Sequence, residues 1–530
     1  MEIVAEAACR LAGGELKVIS IEACRGHRWL SLDNDKRLSL RIEAVRLRSP
    51  SESPRVAVKL FQLDPYHDVS TATLVFEGQV TLAAQYPAPP PPRALSTDTL
   101  LPARTNPPGE LYRHGMFHGP RLQGVRSLRG WNEDGIEADL ATIATHDYFS
   151  FTRTPRFRID AALLDAAGQL AGYWLTEKLS WGYKCFPYNL GHYTQYRDPL
   201  PPNRELLCRA DLRLGDLKLD CQFDLIDSEG VLLARAANWE DVKYSAPQNL
   251  YRFRLAPIER YLSEPLLATE LAGSGLMLRQ LPAFEAGYLD QGSAVWKRML
   301  AALVLDEDER RQFSGELPPT GPRREEWLVG RVAAKDAVRA WAAEYLKLDL
   351  AAADVRLGNR ATGEPYVVDV AGWPSGVLLP AVSISHSRRA AVAACGPADS
   401  APGIDFQHLD RVDAEDLIAG AFTADESQRY FQNVPRDLLR RTAVALWCAK
   451  EAAAKSAGTG LEGRPQDWQI SDADSDVAPR WARVRRGAQE FQIELHYNSG
   501  TESARADTVV ALCRGMTRSG SAVVTLGRTA

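Results

Sequence analysis

Two short stretches carry acids and a cation at spacings that chemistry can use. Gly403-Ile404-Asp405-Phe406-Gln407 follows an apolar run over 390–394 and a turn. On a strand, residues two apart share a face, so Asp405 and Gln407 present two oxygen ligands together while Phe406 turns away. Further on, Trp447-Cys448-Ala449-Lys450-Glu451-Ala452-Ala453-Ala454-Lys455 is Ala-rich and helical in pattern. Trp447, Glu451 and Lys455 fall four apart and share one stripe of that helix. A carboxylate and an ammonium on a helix, opposite a strand carboxylate, suit Mg2+ and a phosphate, because Mg2+ prefers a few carboxylates, waters and phosphate oxygens to an all-protein cage. Simpler readings stand beside this one. An acid on a strand usually faces solvent, Glu451 and Lys455 alone would be a surface pair worth a few tenths of a kcal/mol, and Ser383-Ile384-Ser385-His386-Ser387 alone would be a polar turn. In the N-terminal half, Asp165 and Gln169 sit four apart in a stretch otherwise made of Ala, Leu and Gly. The simpler reading there is an acid of a helix's first turn.

The elements that must hold these residues can be read from pattern. The chain has 530 residues, 45% hydrophobic and 25% charged, which at roughly 150 residues per domain means about three to four folded units. That composition excludes a disordered or collagen-like chain. No apolar run approaches the ~18 residues of a membrane helix, and the acidic start Met1-Glu2-Ile3-Val4-Ala5-Glu6 is unlike a signal peptide. The net charge of −5 gives no nucleic-acid footprint. Eight scattered Cys without a C-x-x-C pair argue against zinc and disulfides and for a reducing cytoplasm.

Prolines mark the joints: Tyr86-Pro87-Ala88-Pro89-Pro90-Pro91-Pro92 is a stiff spacer, and 306–326, with Pro318-Pro319-Thr320-Gly321-Pro322, reads as a linker. Residues 2–12 predict an Ala-rich helix ended by Gly13-Gly14, followed by strands at 18–22, 38–47, 55–61 and 73–83. A second helix at 160–177 precedes strands at 207–214, 217–225, 231–238 and 250–255. A helix followed by a curled antiparallel sheet, twice over, is the plan of a double hotdog. From about Trp327 a helix over 327–346 opens an α+β block.

The C-terminal block resembles a phosphopantetheinyl transferase of the surfactin-synthetase-activating type. Six motifs carry the resemblance in order: 327–335 (Trp-Leu-Val-Gly-Arg-Val-Ala-Ala-Lys), Thr362-Gly363-Glu364-Pro365, Ser383-Ile384-Ser385-His386-Ser387, Gly403-Ile404-Asp405, Phe422-Thr423-Ala424-Asp425-Glu426 and 447–455. The resemblance implies that coenzyme A donates its 4′-phosphopantetheine arm to a serine of an apo carrier protein, with adenosine 3′,5′-bisphosphate leaving. It assigns Asp405 and Glu451, with Gln407, to Mg2+. It makes Glu451 also the general base for the carrier serine and Lys455 the group at the departing phosphate. It assigns Arg331, Ser385 and His386 to coenzyme A, with Lys335 as a further candidate, and gives Gly363 and Pro365 the loop beside the nucleotide. Phosphoryl transfer of this kind depends on in-line positioning and charge neutralisation. One position departs from the pattern: the family usually has an acid where Gln407 stands. This implies weaker Mg2+ binding or a two-carboxylate site, which some members of the family are understood to use.

The N-terminal half resembles the dehydratase domain of polyketide synthases, a double-hotdog family. The residues are Phe117-His118-Gly119-Pro120 and the Asp165/Gln169 pair, with Phe186-Pro187-Tyr188 similar to a substrate-tunnel segment. The resemblance makes Asp165 the acid at the departing β-hydroxyl and Gln169 its support. The family's base is a His in His-x-x-x-Gly-x-x-x-x-Pro, and none of the nine His here has Gly four and Pro nine residues later. The expectation is a dehydratase half inactive alone. The chain begins inside the first hotdog helix, as a C-terminal piece of a longer synthase, a truncated version of one, or a remnant that docks carriers or dimerises would.

A dehydratase followed by a transferase resembles the end of the iterative synthases that make enediyne polyenes. The domain organisation expected is therefore 1–88 first hotdog, 109–262 second hotdog, 263–325 linker, 326–515 a pseudo-two-fold α+β transferase and 516–530 a tail. The expected partners are coenzyme A and an acyl carrier protein in cis or in trans, with a homodimer through the hotdogs and neither nucleic acid nor membrane. The alternatives are a β-hydroxyacyl dehydratase when joined to upstream sequence, and a non-catalytic docking scaffold.

Overall fold

The computed structural model describes residues 1–13, 15–28, 30, 38–48, 53–63, 72–93, 100–103, 111–112, 116, 118–179, 183–245, 247–267, 271–285, 287–318, 322–410, 413–474, 478–498 and 507–515. The tail expected at 516–530 lies outside them. The chain divides into two compact units between Leu255 and Ala256. Among the described residues no helix is long and apolar enough to cross a membrane.

The first unit is the doubled plan. Helix α1 (Glu2–Ala12) precedes β1 (Lys17–Gly26), β2 (Leu40–Leu47), β3 (Arg55–Gln62) and β4 (Thr73–Ala83). After the proline spacer come β5 (Val125–Asn132), β6 (Gly135–Ala141), helix α2 (Ala161–Lys178), β7 (Tyr183–Gln195), β8 (Glu205–Leu214), β9 (Lys218–Ile226) and β10 (Leu232–Ser245). All ten strands form one sheet in the order β2-β3-β4-β1-β7-β10-β9-β8-β6-β5, joined between halves where β1 pairs antiparallel with β7. Each helix packs its small apolar face into its own half-sheet. Val4, Ala5 and Ala8 of α1, and Ala166, Ala167, Leu170 and Ala171 of α2, are fully buried. Ala on a helix lets the sheet curl close around it. The resulting α+β fold is hotdog-like in both halves.

Three strands escaped the sequence reading. β5 and β6 have little Val or Ile, and β7 contains Pro187. Pro187 sits where the β7–β10 register shifts, the kind of bulge at which a sheet tolerates a residue without an N–H. In the other direction, the strand expected at 250–255 belongs to helix α3 (Gln248–Leu255).

The second unit begins earlier than expected. Residues 263–325 are not a linker. β12 (Met277–Leu281) pairs with β16 (Ala390–Gly396) inside a four-stranded sheet, β11-β12-β16-β15, whose other members are β11 (Glu264–Pro265) and β15 (Ala381–Ser387). Helices α4 (Gln291–Val304) and α5 (Glu307–Gly315) fill the same stretch. The charge cluster that suggested a loose joint is the start of α5. There Asp306 and Glu309 cap each other's backbone N–H groups, which stabilises a helix N-terminus. Pro322, taken as linker, opens α6 (Pro322–Leu346), where a missing N–H costs nothing.

Helix α6 lies on β12, β15 and β16, with β13 (Val355–Asn359) and β14 (Pro365–Val370) forming a hairpin beside it. The plan then recurs: the long α9 (Arg436–Ser456) lies on a five-stranded sheet, with α7 (Ala414–Ala421) packed against α9 and α8 (Ala424–Tyr430) between them in sequence. Its order is β17-β21-β20-β19-β18, from β17 (Gly403–His408), β18 (Gln469–Ala473), β19 (Trp481–Arg486), β20 (Gln489–Asn498) and β21 (Thr508–Cys513). α9 comes so close to β17 that a Cβ on Gly403 would lie 2.0 Å from the Ala452 carbonyl oxygen. Gly403 is therefore what brings the acid of β17 and the acid of α9 together.

Candidate functional site

Asp405 is almost fully buried on β17, at 2% exposure. Its Oδ1 accepts from Ser385 Oγ at 2.7 Å and from Lys455 Nζ at 2.7 Å, and Lys455 also donates to the Ile404 carbonyl at 3.1 Å. Its Oδ2 is buried with no nitrogen or oxygen donor. Burial pushes this carboxyl upward, but Lys455, Ser385 and the Cys448 thiol together hold it below the usual range, so it is ionised. Glu451, one turn before Lys455 on α9, is pushed up to about 7 by burial and by the neighbouring Asp405 charge, against the pull of Lys455. Two neighbouring carboxylates with one ammonium, paired to Asp405, form a site short of positive charge.

A divalent cation suits this arrangement. The orphaned, buried Asp405 Oδ2 is a ready single ligand, and a carboxyl held near 7 by a like charge is relieved when a cation binds. Among the described residues no group of three or more His, Cys, Asp or Glu side chains is gathered for a metal. Two carboxylates are within what Mg2+ accepts when water and phosphate complete its shell. Gln407 Oε1 accepts from Ser387 Oγ at 3.4 Å.

The residues expected at coenzyme A separate into two groups. Arg331, 3% exposed on α6, donates to Asn359 Oδ1 at 2.6 Å, and Asn359 Nδ2 donates to the Gly363 carbonyl at 2.9 Å. Arg331 is thereby tied to the 359–365 hairpin loop. In that loop Gly363 adopts φ +88°, a conformation glycine enters without strain, and Pro365 starts β14. The guanidinium lies 4.9 Å from the Trp327 ring, and its Nη1 is buried without a hydrogen-bond partner. Exposed His386 on β15 is adjacent, since a Cβ on Gly330 would lie 3.9 Å from its ring. The same loop reaches the turn that follows α9, where a Cβ on Gly458 would lie 3.2 Å from Glu364 Oε2.

Lys335 and Ser385 both have partners inside the protein. Lys335 is 0% exposed and ion-paired with Glu309 while donating to the Val304 carbonyl, so it cannot reach a nucleotide. One turn beyond Arg331 on a helix buried all round, the pattern did not distinguish a core lysine from a ligand. Ser385 spends its hydroxyl hydrogen on Asp405.

Sequence reasoning also passed over Lys450 and Glu426. They form a buried pair at 2.9 Å, with Lys450 also donating to the Ala421 carbonyl and Glu426 accepting from Ile470 N–H. This pair clamps α8 and β18 to the α9 turn that carries Glu451. The signal was available, since Lys450 is a lysine in an otherwise Ala-rich buried stripe.

In the first unit, Asp165 is partly exposed, 41% at the side chain. The first-turn role offered as the simpler reading belongs instead to Asp160, which caps α2 at Leu163 N–H. Buried Gln169 donates to Asp165 Oδ2 at 2.9 Å and to the Leu122 carbonyl at 2.8 Å, and accepts from the Tyr112 hydroxyl at 2.8 Å. His118 Nε2 lies 3.7 Å from the same Asp165 oxygen. Burial, aided by Arg254 and opposed by Asp165, lowers the His118 pKa, which keeps the imidazole neutral near pH 7. Screening the histidines for a spaced Gly and Pro missed it, because its approach to Asp165 crosses from the 118–122 turn to α2. Phe186, Pro187 and Tyr188 lie on β7.

Each unit contains a segment that matches a family model. Residues 401–513 match the family model of the 4′-phosphopantetheinyl transferase superfamily, and residues 90–248 match that of the polyketide synthase dehydratase N-terminal domain. The chain thus carries a transferase-superfamily domain behind a polyketide-synthase-type dehydratase fold. Similar solved structures include the dehydratase domain from the CurF module of the curacin polyketide synthase, at 17% identity and TM-score 0.35 over 46% of this chain and 81% of that one. The dehydratase domain of RzxB from Pseudomonas fluorescens matches at 16% identity and TM-score 0.34 over 45% and 82%. A trans-AT dehydratase domain from Brevibacillus brevis matches at 14% identity and TM-score 0.37 over 46% and 83%. No curated protein matches the chain.

Proposed function

We propose that the second unit transfers the 4′-phosphopantetheine arm of coenzyme A to a serine of an apo acyl carrier protein, with Mg2+, within polyketide biosynthesis. The observation that carries this reading is the buried Asp405 Oδ2, which has no nitrogen or oxygen donor, beside Glu451, in a unit whose 401–513 segment matches the transferase superfamily. Arg331, His386 and the Gly363–Pro365 loop hold the coenzyme A phosphates and nucleotide. Asp405 and Glu451 would hold the cation, which would supply charge neutralisation at the pyrophosphate. Glu451 takes the proton of the carrier serine, whose oxygen attacks the phosphorus bearing the pantetheine arm. The P–O bond to the adenosine side breaks, adenosine 3′,5′-bisphosphate leaves, and Lys455 meets its new charge. The test is the intact mass of an apo carrier incubated with this chain, coenzyme A and Mg2+. A gain of one phosphopantetheine that a chelator abolishes is the expected result, and no gain on any of several carriers refutes the reading.

For the first unit we infer a body that presents the carrier and pairs two chains, with no lyase turnover of its own. Its context is an iterative synthase of the enediyne-polyene type acting in the cytoplasm, where eight free cysteines suit a reducing medium. One observation favours a second reading. His118, neutral and 3.7 Å from Asp165, stands where it could take an α-proton while Asp165 protonates a departing β-hydroxyl. Release of enoyl product from a β-hydroxyacyl pantetheine thioester, lost in His118→Phe, selects that reading; absence of product selects the scaffold.

A further inference from the structure

β15 and β17 run side by side at the junction of the two sheets of the second unit, yet they belong to different sheets. Alternate serines of β15 take the place of a backbone ladder. Ser383 Oγ accepts from Ile404 N–H at 3.1 Å. Ser385 Oγ accepts from Phe406 N–H at 3.2 Å. Ser387 Oγ donates to Gln407 Oε1 at 3.4 Å and meets His408 Nδ1 at 3.2 Å. All three serines are buried, at 3%, 5% and 1% exposure.

Ser385 differs from Ser383 in one respect. While its lone pair takes Phe406 N–H, its hydrogen goes to Asp405 Oδ1 at 2.7 Å, the oxygen Lys455 also holds. A carboxylate turns easily about its last torsion, which is broad and two-fold. Left to Lys455 alone, Asp405 could swing either oxygen to the ammonium, or offer both to a cation. With two donors on Oδ1, and the first of them pinned by the backbone of the next residue, only Oδ2 is left to bind. One oxygen per carboxylate is what the tight octahedral shell of Mg2+ favours.

We propose that Ser385 is a positioning residue for Asp405, fixing the carboxylate so that it meets a divalent cation through Oδ2 alone. The proposal rests on the metal-dependent transferase reading and replaces the coenzyme A contact that the resemblance implied for Ser385. It is tested by Mn2+ titration of the full chain without coenzyme A, following free Mn2+ by electron paramagnetic resonance. Ser385→Ala is expected to weaken Mn2+ binding about tenfold or more, the size of effect that residues behind metal ligands have. It should leave coenzyme A binding measured in chelator unchanged. Ser383→Ala removes an equivalent hydroxyl from the ladder without touching the carboxylate, and should lower the melting temperature while keeping wild-type Mn2+ affinity. If Ser385→Ala does not fold, the pair Ser385→Thr and Ser385→Val, alike in shape and differing by one hydroxyl, reads the same quantity: Thr holds the affinity and Val loses it. Unchanged Mn2+ affinity in the hydroxyl-free variants, an equal loss in Ser383→Ala, or a loss confined to coenzyme A overturns the proposal while the transferase reading stands. A wild-type chain that takes up no Mn2+ removes the metal reading itself, and the proposal with it.

Discussion

Glu451 is held near pH 7 by burial and by the Asp405 charge, and both roles proposed for it need the carboxylate. Protonation below about 7 competes with the cation. Mg2+ affinity of the free protein should therefore rise about tenfold per pH unit below 7 and level off above it, as linkage to one proton requires. Isothermal titration between pH 5.5 and 8.5 checks this, and a flat profile would remove Glu451 from the site. Glu451→Gln keeps the shape and loses the charge; transfer should fall by on the order of 10²–10⁴ with the far-ultraviolet circular dichroism unchanged. Retained transfer would move the base elsewhere.

Elements hold such residues in place through buried charges of two kinds. The Lys450–Glu426 pair, at 0% and 4% side-chain exposure, joins α8 to α9. Lys450→Met would strand a buried carboxylate, at a cost of about 3–5 kcal/mol. Urea unfolding of the variant should show that loss, and less than 1 kcal/mol would argue against the clamp. Asp241 on β10 has no cationic partner among its contacts. It accepts from the Trp239 indole at 2.6 Å, and burial pushes it up to about 6. Its folded-state pKa lies above the unfolded one, so the folded form binds more protons and stability falls as pH rises from about 4 to 6. Asp241→Asn keeps the acceptor and drops the charge. At pH 8 it should stabilise the first unit by about 3 kcal/mol, with no gain at pH 4; equal effects at both pH values would mean that packing, not charge, decides.

The division between Leu255 and Ala256 has a consequence for the whole molecule. β12 completes the sheet on which α6 lies, and Glu309 of α5 neutralises buried Lys335. A fragment starting at 256 should fold and transfer phosphopantetheine at a rate within about threefold of the full chain, because its core and site are its own. A fragment starting at 326 lacks β12 and Glu309 and should be insoluble or molten, since an unpaired buried lysine and an uncovered strand edge remain. A well-folded, active 326–530 fragment would restore the linker reading of 263–325. The homodimer proposed through the hotdog unit belongs to the same scale, and a sedimenting monomer at micromolar concentration argues against it.

The amino-acid sequence alone determined the doubled helix-and-sheet plan, the α+β character of the C-terminal block, and the order of motifs that brings Asp405, Glu451, Lys455, Arg331 and Gly363 to one unit. These follow from local periodicity and spacing, which neighbours along the chain enforce. Tertiary structure decided what spacing cannot carry. It decided that Lys335 faces Glu309 and that Ser385 faces Asp405. It decided that His118 meets Asp165 and that 263–325 joins a sheet. In each case the deciding partner is tens of residues away, as Lys335 and Glu309, Ser385 and Asp405, and His118 and Asp165 are. Whether a buried polar group is a ligand or a strut depends on which distant group the packed fold sets opposite it.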